Sequence, residues 1–175
     1  MIKFVFTGPE STGKTDTALH VSQKFSFCYV PEFAVEYLNN TDGRYKFEDL
    51  YKIAKGQIET ENEIVTGCNS RAAICDTDLI TIKIWSAVKY KKVDNRIYSM
   101  IRNRKYDHYI LCYPDIIWEY SKFRENPDDR DVLFNLYLNQ LKYYKKDFSI
   151  LKGIGGNRIE KAENIVRSVL KKYQL

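Results

Sequence analysis

Residues 8–15 read Gly-Pro-Glu-Ser-Thr-Gly-Lys-Thr, which completes the spacing G-x-x-x-x-G-K-S/T. The flanks make this the tightest constraint on the fold. The apolar run 2–6 comes immediately before it, and Ala18, Leu19, Val21, Ser22 and Phe25 follow at helical spacing. Gly8 and Gly13 allow a tight turn and a close backbone approach. Successive N–H groups then form an anion nest at the N-terminus of a helix, whose dipole adds partial positive charge. A loop of this kind binds a nucleoside triphosphate. Lys14 is expected to bridge the β- and γ-phosphates and Thr15 to ligate Mg²⁺, with Glu10, Ser11, Thr12 and Asp16 completing the ATP-binding set. ATP and Mg²⁺ are the expected cofactors.

Further along, short apolar runs alternate with longer amphipathic stretches, the pattern of a parallel sheet with crossover helices. Strands are expected at 2–6, 27–30, 72–75, 108–112 and 148–151. Helical spacing is carried by Phe47, Leu50, Tyr51, Ala54, Ile58, Ile64 and Val65, and again from Leu133 to Tyr144. Ile159, Ala162, Ile165, Val166, Val169, Leu170 and Tyr173 form the face of a last helix, with Asn157 and Glu160 as its expected capping pair. The fold class is therefore α/β, a five-stranded parallel sheet flanked by helices in three layers. No repeat or Pro/Gly linker interrupts the chain, which reads as one domain over 1–175.

With 44% hydrophobic residues, the 175-residue chain can bury roughly 70% of its unfolded surface in one core, which excludes fibrous and disordered classes. The 28 basic and 23 acidic residues leave +5, too small an excess to argue for nucleic acid as partner. No window is apolar enough for a membrane span or a signal peptide, so a cytoplasmic location is expected. Cys28, Cys68, Cys75 and Cys112 form no C-x-x-C pair and are read as buried reduced thiols. The 14 tyrosines suggest packing or stacking on a flat ligand.

In an open parallel sheet, ligands sit at the carboxyl ends of the strands. After the third strand come Asp76, Thr77 and Asp78. Asp76 is placed to hold the Mg²⁺ hydration shell opposite Thr15, while Asp78 is either a base for an acceptor hydroxyl or the N-cap of the next helix. After the second strand, Glu32 is either a first-turn residue favoured by the helix dipole or that same base, with Glu36 and Tyr37 behind it. After the fourth, Trp118 is a candidate for ring stacking or core cover. Lys122, Arg124 and Arg130 belong either to a cationic lid over 122–130 or to a solvated turn. The glycines after the fifth strand, ending at Asn157, offer an adenine-side contact.

Taken in order, GPESTGKT, VPEFAVEYL, the segment around Gln57, ICDTDLIT and PDIIWE through Arg124 resemble the ribosylnicotinamide kinase domain of NadR-type bacterial proteins, over nearly the whole chain. The resemblance implies a P-loop kinase fold and phosphorylation of nicotinamide riboside at its 5′-hydroxyl by Mg·ATP. It implies substrate contacts at Glu32, Asp76, Asp78 and Trp118, with Arg124 and Arg130 in the lid. NadR-type sequences commonly carry Arg where this chain has Val35. Their longer members place a DNA-binding segment and an adenylyltransferase domain before the kinase, so another protein is expected to adenylylate the product. The alternative reading is a nucleotide-dependent switch with slow ATP hydrolysis, in which Gln57 would orient water, or a kinase of another nucleoside.

Overall fold

The computed structural model describes residues 1–124 and 128–174. Its strands are β1 (Ile2–Thr7), β2 (Cys28–Val30), β3 (Ala72–Asp76), β4 (His108–Cys112) and β5 (Phe148–Leu151). Its helices are α1 (Lys14–Phe25), α2 (Phe33–Asn40), α3 (Phe47–Thr66), α4 (Leu79–Tyr90), α5 (Asn95–Asn103), α6 (Arg130–Tyr143) and α7 (Gly155–Lys172). The sheet is entirely parallel, in the order β2-β3-β1-β4-β5. All five expected strands are present.

Every residue of β3 and β4 is buried, because helices cover both faces of the sheet. Phe4, Phe6, Ile74 and Ile110 pack against Ala18 and Val21 of α1 and Ala162 and Val166 of α7. On the opposite face, Val5, Cys75, Tyr109 and Leu111 meet α3, α4, α5 and α6 through Leu50, Ile53, Ile80, Ile97 and Leu141. The apolar faces of α3 and α7 thus reach the two sides of one sheet.

Two sequence expectations are corrected. The last helix begins at Gly155 with Ile154 as N-cap, so Asn157 lies within its first turn and makes no capping pair with Glu160. The glycine pair had masked this start, since Gly is a poor helix former. Of the four cysteines, Cys75 and Cys112 are buried free thiols as expected, but Cys28 and Cys68 form a disulfide across 40 residues, with Cα atoms 6.2 Å apart. The crossover through α3 returns the chain beside the first residue of β2, a proximity invisible in the spacing.

Among the described residues, no helix is long and apolar enough to cross a membrane.

Candidate functional site

The connections from β1 lead to one side of the sheet and that from β3 to β4 to the other, so the switch point lies at the carboxyl end of β1. The phosphate loop emerges there. Gly8 has φ +134°, and a Cβ on it would stand 2.7 Å from the Cys112 carbonyl oxygen, so only glycine lets the loop pass β4 so closely. Within the loop, Thr12 Oγ1 donates to the Pro9 carbonyl at 2.8 Å, and Lys14 Nζ donates to the same oxygen at 2.7 Å. Gly13 is the N-cap of α1 in left-handed conformation.

The loop forms the floor of a cavity of about 940 Å³. Gly8, Glu10, Ser11, Thr12, Gly13, Lys14, Thr15 and Asp16 line it, together with Glu32 and Arg124. A further part of its wall, formed by Tyr45 and Trp85, carries no residue singled out from the sequence. Trp85 Nε1 donates to the Tyr45 hydroxyl at 2.8 Å, and the two rings meet edge to face with centroids 4.7 Å apart. They come from the segment before α3 and from α4, so only tertiary contact assembles the wall.

Glu32 is the N-cap residue of α2, without a side-chain cap. Burial, and secondarily the Asp76 carboxylate, push its carboxyl up to about 7 against the opposing pull of Lys14. Gln57 of α3 fixes the backbone on either side of it: Oε1 accepts from Phe33 N at 2.8 Å and Nε2 donates to the Pro31 carbonyl at 3.1 Å. Gln57 is thus committed to the main chain around Glu32 and does not orient a water. Next to it, Gly56 lies under the Phe33 ring, where an added Cβ would stand 2.1 Å from a ring carbon. The approach of α2 to α3 that sets Glu32 depends on that missing side chain.

Asp76 ends β3 and is buried beside the loop. Burial raises its carboxyl, while Thr15, Lys14 and the Tyr29 hydroxyl pull it back. Tyr29 donates to Oδ2 at 3.1 Å, and Oδ1 is buried with no hydrogen-bond partner. A buried carboxylate oxygen left open beside the Thr15 hydroxyl and the Lys14 ammonium fits a Mg²⁺ ion or its water. Thr15 and Asp76 are the residues that would hold it.

Asp78 occupies a different position. It is the N-cap of α4, accepting from Ile80 N at 3.2 Å and from the Tyr109 hydroxyl at 2.8 Å, and burial pushes it up to about 6. It does not line the cavity. Tyr37 likewise turns from the cavity toward Asp49 on α3. Trp118 lies outside it, edge-on to Tyr120, and Asn157 is exposed with its Oδ1 turned toward Gly153. Of the three cations read as a lid, Lys122 pairs with Asp42, and the other two contact the phosphate loop. Arg130 Nη1 donates to the carbonyls of Ser11 at 3.1 Å and Ile116 at 2.7 Å, while Arg124 Nη1 reaches the Glu119 carbonyl at 2.5 Å and Ser11 Oγ at 3.4 Å. Residues 125–127 of that stretch lie outside the described residues.

The tyrosines find a use that composition did not suggest. Tyr29, Tyr109 and Tyr106 donate to Asp76, Asp78 and Glu61, giving a partner to carboxylates buried at the end of β3, at the cap of α4 and on α3.

Sheet order, phosphate loop and buried strand-end acids together define the class: a nucleotide-binding protein with the P-loop kinase fold. The model of a family described as AAA domain matches residues 3–158, and the chain belongs to that family. No curated protein matches it in sequence. Among solved structures it is similar to a NadR protein in complex with NAD and AMP-PNP, with 19% identity and a TM-score of 0.77 over 96% of this chain and 49% of that one. A NadR protein in complex with NR gives 18% and 0.78, again over 96% of this chain and 49% of that one. The chain therefore spans about half the length of these NadR chains. A deoxyadenosine kinase from M. mycoides with bound dATP is similar at 14% identity and a TM-score of 0.60, over 95% of this chain and 100% of that one. At these identities the likeness is one of fold.

Proposed function

We propose that this chain is an ATP-dependent kinase of a small nucleoside-like acceptor, with nicotinamide riboside, phosphorylated at its 5′-hydroxyl to nicotinamide mononucleotide, as the leading substrate. The observation that carries this reading is the position of Glu32, which faces the phosphate loop and Lys14 across one cavity long enough to reach the Tyr45–Trp85 wall.

In the proposed reaction the acceptor hydroxyl gives its proton to the Glu32 carboxylate as its oxygen bonds to the γ-phosphorus. The bond from that phosphorus to the β–γ bridging oxygen breaks, and ADP leaves. Lys14 and the loop N–H groups hold the phosphates in line, and Arg124 stands where it can neutralise charge on the transferring group. Bound Mg²⁺, held by Thr15 and Asp76, would neutralise phosphate charge. The aromatic wall would receive the acceptor's ring, a role expected from sequence for Trp118. Asp78 serves as the helix cap it was also read as, and Glu32 remains as the base.

The test is a phosphotransfer assay across nicotinamide riboside, adenosine, cytidine and uridine. The expected result is that nicotinamide riboside is consumed fastest. If another nucleoside is faster, the acceptor is wrong; transfer to none of them, with ATP bound, would sink the kinase reading. The switch reading has lost its water-orienting residue, because Gln57 is tied to the backbone.

A further inference from the structure

Arg158 was not singled out from the sequence, yet it is 2% exposed and makes more long-range hydrogen bonds than a helix surface residue needs. It stands in the first turn of α7, where a cation opposes the helix dipole. The helix itself gains nothing from that charge. Its Nη2 donates to the Thr12 carbonyl at 2.6 Å and to the Tyr113 carbonyl at 3.4 Å. Its Nη1 donates to Asp115 Oδ1 at 2.9 Å and to the Gly153 carbonyl at 3.0 Å. Asp115 Oδ2 in turn accepts from Gly153 N at 2.6 Å. One guanidinium therefore joins the phosphate loop, the segment after β4 and the loop after β5. Its Nε is buried without a partner and lies 3.8 Å from where a Cβ on Gly13 would stand.

The bond to Thr12 bears on nucleotide binding through covalent geometry. In a trans peptide the C=O and N–H point in opposite directions, so fixing the Thr12 carbonyl outward turns the Gly13 N–H inward. A charged donor on that carbonyl also polarises the peptide and strengthens its N–H as a donor. Arg130 grips the neighbouring Ser11 carbonyl, but from the start of α6, next to the lid. Arg158 grips from a helix packed on the core, with its own carboxylate partner.

We infer that Arg158 is the positioning residue of the phosphate loop, holding the Thr12–Gly13 peptide so that its N–H faces the nucleotide's phosphates. The inference rests on nucleotide binding at this loop and is independent of the acceptor's identity.

The experiment is calorimetric titration of the chain with ATP and with ADP, without acceptor, for wild type, Arg158→Gln, Arg158→Lys and Asp115→Asn. Arg158→Gln is expected to raise Kd for both nucleotides about tenfold or more, the weight of a charge-assisted hydrogen bond. Arg158→Lys keeps the charge and is expected to recover most of that loss, and Asp115→Asn to cost about threefold by loosening the anchor. In the transfer assay KM for ATP rises while KM for the acceptor stays unchanged, a split that a loss of folded protein does not produce. A folded Arg158→Gln with wild-type Kd overturns the inference. If that variant does not fold, wild-type Kd in both Arg158→Lys and Asp115→Asn overturns it, and a raised Kd in Asp115→Asn supports it. A wild-type chain that binds neither nucleotide removes the reading of the loop itself, a separate outcome.

Discussion

The two sides of the cavity are built on different plans. The donor side is backbone: the run from Gly8 to Thr15 lines it from one turn and one helix start, with an N–H on every residue but Pro9. The proposed acceptor side is made of side chains that follow β2, precede α3 and stand on α4, and they are held by residues distant in sequence, as Gln57 and Gly56 hold the backbone at Glu32. A backbone site needs a short local pattern and can be recognised from it. A side-chain site needs the fold, and changes of ligand can be made there one residue at a time without disturbing phosphate binding.

The sharpest break of this comparison is Lys14→Ala. It removes the charge that the donor side contributes to the phosphates, and transfer is expected to fall about 10³-fold or more with circular dichroism unchanged. Next in size, Glu32→Gln is expected to lower kcat about 10²-fold while ATP affinity, measured by titration, is retained. In the wild type, kcat/KM should climb with pH through about 7 and then level off, because the base must be ionised. The same carboxyl links to stability with the opposite sense. Its folded value lies above its unfolded one, so ionising it destabilises the fold as pH rises from the usual carboxylate range through about 7. Glu32→Gln, neutral throughout, should therefore melt above wild type at pH 8 and alongside it at pH 4. The smallest effect is expected from Gly56→Ala, where Phe33 must move aside at about 1–3 kcal/mol, read as a lower melting temperature and a reduced kcat with unaltered ATP affinity.

The same contrast explains what the sequence disclosed. The loop, the five strands and the parallel sheet were legible because each is written in neighbouring residues, as a glycine spacing or a short apolar run. Glu32 and Asp78 were not separable by that route. Both are acids just past a strand, and only the structure shows Asp78 accepting from Ile80 and Tyr109 while Glu32 faces the cavity. Trp118 stands out in the sequence because it follows a strand, but the turn of α4 puts Trp85, which has no such signal, on the wall. Arg158 and the Cys28–Cys68 pair carry no local signal, since their partners are brought to them by crossovers.

That disulfide has a consequence for how the molecule breathes. β2 spans only Cys28–Val30 and is an edge strand hydrogen-bonded to β3 alone, yet it delivers Glu32. Short edge strands belong to the low-stability end of a protein's local openings, and a site that relies on one would be lost whenever the edge frays. Tying Cys28 to Cys68 joins β2 to the chain just past the C-terminus of α3, the long helix that also holds Pro31 and Phe33, so that strand, Glu32 and helix open as one cooperative unit. Amide hydrogen exchange would show this directly. In the oxidised chain β2 and the C-terminal half of α3 should share one opening free energy, and in Cys28→Ser the strand should exchange first.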